Sequence, residues 1–330
     1  MDNLASKVRP VLISIIIPIY RAERTLQSLI EEVAPLTHVQ LSPQGRSFVV
    51  SELVLVHDCG PDRSDQVIEQ MREHYAFVRP VWLSRNYGQH AATMAGMASA
   101  AGDWIVTIDE DGQQNPADIG RMLDYACDSN LQVVYAAPLN PPPHGWLRNL
   151  LSSGAKAISA RLMGNRSLGR FNSFRLIDGE IGRTLAAYCG HGVYLDVGLF
   201  WVAGRIGHCP IYLRNELDRP SGYSYTRLFA HFWNLVMTTG TRPLRLITLA
   251  GGGSVMLAML LAAYAIYEKL SGQVAVQGWA SIVIAIAFFS GAILMALGVI
   301  AEYLAVTMGI AMGKPLYVVS TKPTRSAERL

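Results

Sequence analysis

Short, branched apolar runs recur along the first 140 residues, and stretches with helical spacing separate them. Residues 11–17, 53–56, 81–84, 104–108 and 133–136 are largely apolar, broken only by Ser14, Ser84 and Thr107, rather than alternating. That pattern predicts strands buried on both faces of a mostly parallel sheet. Residues 22–33, 62–74, 90–100 and 116–127 read as the helices between them, and Asn115-Pro116 supplies a cap and a first-turn proline for the last. The strand–helix alternation predicts a doubly wound α/β domain. Ligands of such sheets lie at the carboxyl ends of the strands, so the residues following each run are the candidates for chemistry.

The pattern changes in the last third. Residues 246–267 and 270–301 contain no charged side chain. Each is long enough for a transmembrane helix, which needs about 20 apolar residues. Arg242 and Arg245 precede the first stretch, and Lys314, Lys322, Arg325 and Arg329 follow the second. The positive-inside rule then places both termini and the α/β domain in the cytosol, with a small loop outside. The first apolar run is too short for a signal peptide and leads directly into Pro18, Arg21 and Glu23. Residues 225–239 mix aromatic and basic side chains and fit either an amphipathic helix on the inner leaflet or an ordinary packed helix. The expected organisation is therefore 1–222 α/β domain, 223–243 juxtamembrane helix, 244–310 two-helix membrane hairpin and 311–330 cytosolic tail. Small residues along the spans, such as Gly251–Gly253 and Gly291, permit close helix packing and hence a homo-oligomer.

Composition agrees with this division. Charged residues are 16% and hydrophobic ones 51%, which excludes a disordered chain. With 28 basic and 25 acidic residues the net charge is +3, too small and too dispersed to predict nucleic-acid binding. The four cysteines have no metal-binding spacing, as expected of thiols in a reducing compartment.

The strand ends carry Pro18 and Tyr20, then His57 and Asp58, then Arg85 to Gln89, then Asp109-Glu110-Asp111-Gly112-Gln113. No Gly-rich dinucleotide or P-loop motif follows any strand. Two carboxylates at i and i+2 after a buried strand call for a neutralising partner, and hard oxygen ligands suit Mg²⁺ or Mn²⁺. Such an ion bridges the phosphates of a nucleotide and stabilises a departing diphosphate.

These segments, with Ser173-Phe-Arg175, Tyr194-Leu-Asp196, Arg219-Pro-Ser-Gly222 and Gly298 to Tyr303, resemble the GT-A glycosyltransferases of family 2. More narrowly, the chain is similar to polyprenyl-phosphate glycosyltransferases with two C-terminal membrane helices. The resemblance implies a GT-A, Rossmann-like domain followed by two transmembrane helices, sitting in the cytoplasmic membrane among its lipids. It implies inverting, metal-dependent transfer of a sugar from a nucleotide-sugar to polyprenyl (undecaprenyl) phosphate at the inner leaflet. Asp109, Asp111 and Gln113 would hold the metal; Pro18, Tyr20, Asp58, Arg85 and Asp109 would line the donor site. Arg148, Arg175 and Arg219 would bind the lipid phosphate, with Asp111, Asp196 and Arg219 in catalytic roles. His57 and Ser173 stand where relatives often carry acidic residues, and Asp196 is the candidate substitute base, a structural hydrogen-bonding role being the other reading. A catalytically silent membrane scaffold and a processive polysaccharide synthase are the alternative functions. The second is weakened because no QxxRW-type motif occurs.

Overall fold

The computed structural model describes residues 9–140, 172–190, 193–214 and 278–321, together with scattered helical positions between 251 and 271. Its sheet contains β1 (Val11–Ile19), β2 (Gln40–Leu41), β3 (Ser47–His57), β4 (Val78–Leu83), β5 (Trp104–Thr107), β6 (Val133–Pro138), β7 (Arg175–Asp178), β8 (Ile206–Ile211) and β9 (Val319–Ser320). The strand order is β8-β6-β7-β5-β1-β3-β4-β9, with β2 paired to β3. Pairs β1–β3, β1–β5, β3–β4 and β6–β8 are parallel, whereas β7 runs antiparallel to both β5 and β6. The expected mostly parallel, doubly wound domain is therefore present, made mixed by β7 and by the edge strands.

Alternation along β1 explains the two-sided core. Ile13, Ile15, Ile17 and Ile19 point to one face and pack with α1 (Leu26–Val33), α2 (Ser64–His74) and α4 (Ile119–Asp128). Ile16 points to the other, with α3 (Gln89–Ser99), α5 (Gly179–Tyr188) and α6 (Leu195–Val202). Both faces are covered, so neither shows the polar alternation of a solvated sheet. Pro18 is tolerated in this central strand because of its register. Ile16 O accepts from Ile108 N on the β5 side and Ile19 O from Asp58 N on the β3 side. By alternation, the amide that Pro18 lacks would face β5, past the last paired residue of that strand. Asn115 does cap the turn at Pro116–Asp118, its Oδ1 accepting from Ala117 N at 3.1 Å. All four cysteines are free thiols.

The C-terminal third is helical and then returns to the sheet. α7 runs from Trp279 to Ala311, starting later and ending later than the charge-free stretch predicts. Glu302 and Tyr303 lie inside this helix. Its window Phe288–Ala305 has a mean hydropathy of 1.8 and none of it is buried against the rest of the chain. Among the described residues it is the one helix long and apolar enough to cross a membrane. The described positions between Gly251 and Tyr267 are also helical, and Met256, Met259, Leu260 and Tyr264 are exposed. Residues 223–243 lie outside the described residues. The segment after α7 is more than a tail, because β9 returns to the sheet as its edge strand beside β4.

Candidate functional site

Four loops meet at the carboxyl ends of β1, β3, β4 and β5, and carboxylates bind them to one another. Glu110, which sequence reasoning passes over, takes the amides of Tyr20 and Arg21 on its carboxylate at 2.7 and 3.0 Å. Its carbonyl also accepts from Thr25 Oγ1 at 2.6 Å. The loop after β1 is thereby clasped to the turn after β5. Gly60 brings the loop after β3 against the same strand end: a Cβ there would lie 1.8 Å from the Tyr20 carbonyl oxygen, so no larger residue fits. Arg214 N donates to Gln113 O at 2.8 Å, and its guanidinium pairs with Glu32, tying the chain beyond β8 to the same turn.

Asp58 is buried and fully engaged. Its two oxygens accept from Tyr87 N at 2.7 Å and Gly88 N at 2.8 Å, which fixes the loop after β4 against the end of β3. Burial pushes its carboxyl up to about 6, against the downward pull of those two amides. A residue expected to line the donor pocket thus also shapes the neighbouring loop. On that loop Arg85 is exposed and stacks over the Tyr87 ring at 4.6 Å. Tyr20 is partly exposed at the mouth of the first loop, with Arg21 over its ring at 5.5 Å. His57 is buried in the wall behind them, edge-on to Trp82.

Asp109 sits in a cradle of neutral donors. Gln89 Nε2 donates to Oδ1 at 2.6 Å; Gln114 Nε2 at 3.2 Å and the Ser173 hydroxyl donate to Oδ2. Gln114 Oε1 in turn accepts the Asp109 amide, and Gln114 Nε2 also reaches Ser173 Oγ. Burial pushes the Asp109 carboxyl up to about 6; the Ser173 bond opposes this and the charge of Asp111 adds to it. This geometry explains the serine at position 173: an acid there would face Asp109 with like charge, whereas a hydroxyl donates to it. Asp111 is partly buried in the same turn and takes the Gln113 amide on Oδ1 at 3.0 Å. The donor set fits a hard divalent cation. Two neighbouring carboxylates, one raised in pKa by burial, match the way Mg²⁺ binds through one or two carboxylates plus substrate phosphates.

Two of the expected site residues pair with each other. Arg175 and Asp196, at 5% and 2% exposure, face each other in the interior. Arg175 Nε and Nη2 reach the two Asp196 oxygens at 2.7 and 2.9 Å, and Tyr135 donates its hydroxyl to Oδ1 at 3.0 Å. Arg175 Nη1 also donates to Ser173 O at 3.1 Å. Burial opposes the charge on Arg175, but Asp196 more than offsets it and holds the guanidinium well above its ordinary pKa. For Tyr135, burial and then the Asp196 charge raise the phenol. Both members are buried and engaged with each other, and the Arg175 bond to Ser173 O sets the pair behind the Asp109 cradle. Arg148 and Arg219 lie outside the described residues.

Sequence reasoning finds Asp109 and Asp111 but misses Glu110, Gln114 and Ser173 as partners. Gln114 alone left a signal, a polar residue directly after the acidic turn and before a helix cap. Glu110 and Ser173 act across 90 and 64 residues of chain, a separation at which spacing carries no information.

A family model for "Glycosyl transferase family 2" matches residues 14–193, more than half of the chain and all four loops of the site. The chain belongs to this family and is a glycosyltransferase. Among curated relatives it is 29% identical to the undecaprenyl-phosphate 4-deoxy-4-formamido-L-arabinose transferase of Pseudomonas paraeruginosa, over 89% of this chain and 85% of the relative. The protein of the same name from Klebsiella pneumoniae is 26% identical, covering 93% of this chain and 92% of its own. Among solved structures, glucosyl-3-phosphoglycerate synthase from Mycobacterium tuberculosis, in complex with Mn²⁺, uridine diphosphate and glucosyl-3-phosphoglycerate, superposes with a TM-score of 0.48 at 19% identity. That match covers 70% of this chain and 80% of the synthase. TarS 1–349 from S. aureus in complex with UDP-GlcNAc also gives 0.48, at 15% identity over 69% and 66% of the two chains.

Proposed function

We propose that this glycosyltransferase moves a sugar from a nucleotide-sugar to a polyprenyl phosphate, undecaprenyl phosphate in particular, at the cytoplasmic face of a membrane. The observation that carries the reading is the pair Asp109 and Asp111 at the end of β5, in a domain that leads into an exposed apolar helix. The acceptor named for the curated relatives supports it.

The reaction is a single displacement. A phosphate oxygen of the acceptor attacks the anomeric carbon from the face opposite the diphosphate. The bond from that carbon to the diphosphate oxygen breaks, its electron pair leaves with the nucleoside diphosphate, and the configuration inverts. The acceptor is already anionic at neutral pH, so no protein base has to remove a proton. This removes the need for Asp196 in that role. When bound, Mg²⁺ or Mn²⁺ on Asp109 and Asp111, with Gln113 at the third position, supplies charge neutralisation of the leaving diphosphate. Neutral donors from Gln89, Gln114 and Ser173 orient the Asp109 carboxylate, while Pro18, Tyr20, Asp58 and Arg85 frame the nucleotide. Arg148 and Arg219 are assigned to the acceptor phosphate, since two anionic phosphates must be brought together and guanidinium groups bind them bidentately. Two spans, 246–267 and α7, form the membrane hairpin, and both termini are cytosolic.

A transfer assay on the detergent-solubilised protein tests this. It contains undecaprenyl phosphate, Mn²⁺ or Mg²⁺ and a panel of labelled UDP-, GDP- and dTDP-sugars. Label in the lipid phase, lost on chelation, is the expected result. No label with any donor and no nucleotide binding would instead favour a silent membrane scaffold.

A further inference from the structure

The chain leaves the membrane helix and returns at once to the catalytic sheet. α7 ends at Ala311, Gly313 turns the chain at φ +64°, and Leu316 and Tyr317 pack against the core under α3. β9 then pairs antiparallel with β4, Val319 opposite Leu83 and Ser320 opposite Trp82. Val318 O accepts from Ser84 N at 3.0 Å, and the Val318 backbone also bonds the Tyr87 side chain. Without this strand, the end of β4 would be an open sheet edge.

The edge it covers runs into the site. Ser84 Oγ and the Tyr87 hydroxyl are 2.9 Å apart. The amides of Tyr87 and Gly88 are held by Asp58, and the next residue, Gln89, donates to Asp109. Residues 84–89 are therefore gripped on one side by β9 and on the other by two carboxylates of the donor site. The seven residue-to-residue steps from Ala311 to Val318 also limit the distance between helix end and sheet edge to roughly 25 Å.

We propose that β9 is a latch that positions the Ser84–Gln89 loop for the nucleotide-sugar and couples that loop to the membrane helix. This rests on the donor assignment above. With β9 in place, Arg85 and Gln89 are held at the donor site; without it, the loop keeps only the grips of Asp58 and Asp109 and donor binding weakens.

The test uses the full-length protein in detergent beside two variants, one ending after Gly313 and one carrying Val318→Pro. Donor KM and kcat are measured with whichever nucleotide-sugar the wild type turns over, and a peptide of residues 314–330 is then added in trans. Both variants are expected to raise donor KM about tenfold, an effect of misplacing a loop by an ångström or so. The peptide should restore the truncated protein by adding back its strand. Variants with the wild-type donor KM would overturn the latch, as would a truncated protein that the peptide leaves unchanged. If the truncated chain does not fold, Val318→Pro alone decides, on the same KM criterion. A wild type inert with every donor would sink the donor assignment itself, a result distinct from active wild type and equally active variants.

Discussion

Arg175 closes a two-point ion pair on Asp196, Nε to Oδ1 at 2.7 Å and Nη2 to Oδ2 at 2.9 Å, in the interior behind the acidic turn. Such a pair is costly to break from one side, because the remaining charge stays buried without its counter-charge. Asp196→Asn should therefore lower stability by about 3–5 kcal/mol. Urea unfolding of the detergent-solubilised protein measures this. A variant that keeps wild-type stability but loses transfer would instead return Asp196 to a direct chemical role.

On the proposed cation site, Asp111→Asn is expected to leave the fold intact and lower kcat by at least about a hundredfold, since a charged carboxylate ligand would become a neutral amide. The comparison to make is kcat beside the thermal midpoint. Transfer at the wild-type rate would remove Asp111 from the site.

Asp58 predicts a pH dependence with a definite sign. Its native pKa of about 6 is above the ordinary 3.8, so the folded protein favours the protonated form. The stability this group contributes is complete below pH 4 and is lost as pH rises through about 6, by an amount on the order of 2–3 kcal/mol. Asp58→Asn removes that titration. Unfolding free energies at pH 4.5 and 7.5 should show the wild type losing ground to the variant as pH rises; parallel curves would contradict the assignment.

Gly60→Ala places a methyl where the Tyr20 carbonyl already lies, 1.8 Å from its oxygen. Backbone on both sides leaves no flexible side chain to yield, so the loop after β1 must move. A loss of about 1–3 kcal/mol is expected, as for overpacked sites, together with a raised donor KM. An unchanged melting curve and KM would show that the two loops are not in contact in solution.

Glu110→Gln tests the clasp between those loops. The amide oxygen can still accept one backbone N–H, but the Tyr20 and Arg21 amides lose a charged acceptor. Hydrogen bonds to charged groups contribute about 1.5–3 kcal/mol. Amide hydrogen exchange at Tyr20 and Arg21 should accelerate while the core strands stay protected. Unaltered exchange there would rule the clasp out.

Much of this protein is written locally. Residues 11–17 form a strand because continuous branched side chains can only be satisfied between two layers of helices, and Ile13 to Ile19 supply both. Asn115 caps its helix because cap and first turn are neighbours in the chain. Asp109 and Asp111 stand out because two acids after a buried strand are expensive without a counter-charge. In the same way, α7 is legible from an uninterrupted apolar stretch.

The tertiary structure decided the rest, wherever partners are far apart in sequence or an element is too short to have a pattern. β9 is two residues long, and only the open edge of β4 makes it a strand. Arg175 looks like a phosphate ligand until the fold sets Asp196 against it, because a guanidinium binds carboxylate and phosphate with the same fork. Ser173 looks like a missing acid until Asp109 is seen to need a donor. Side-chain chemistry is fixed by residue type, but the charge that each group meets is fixed by packing.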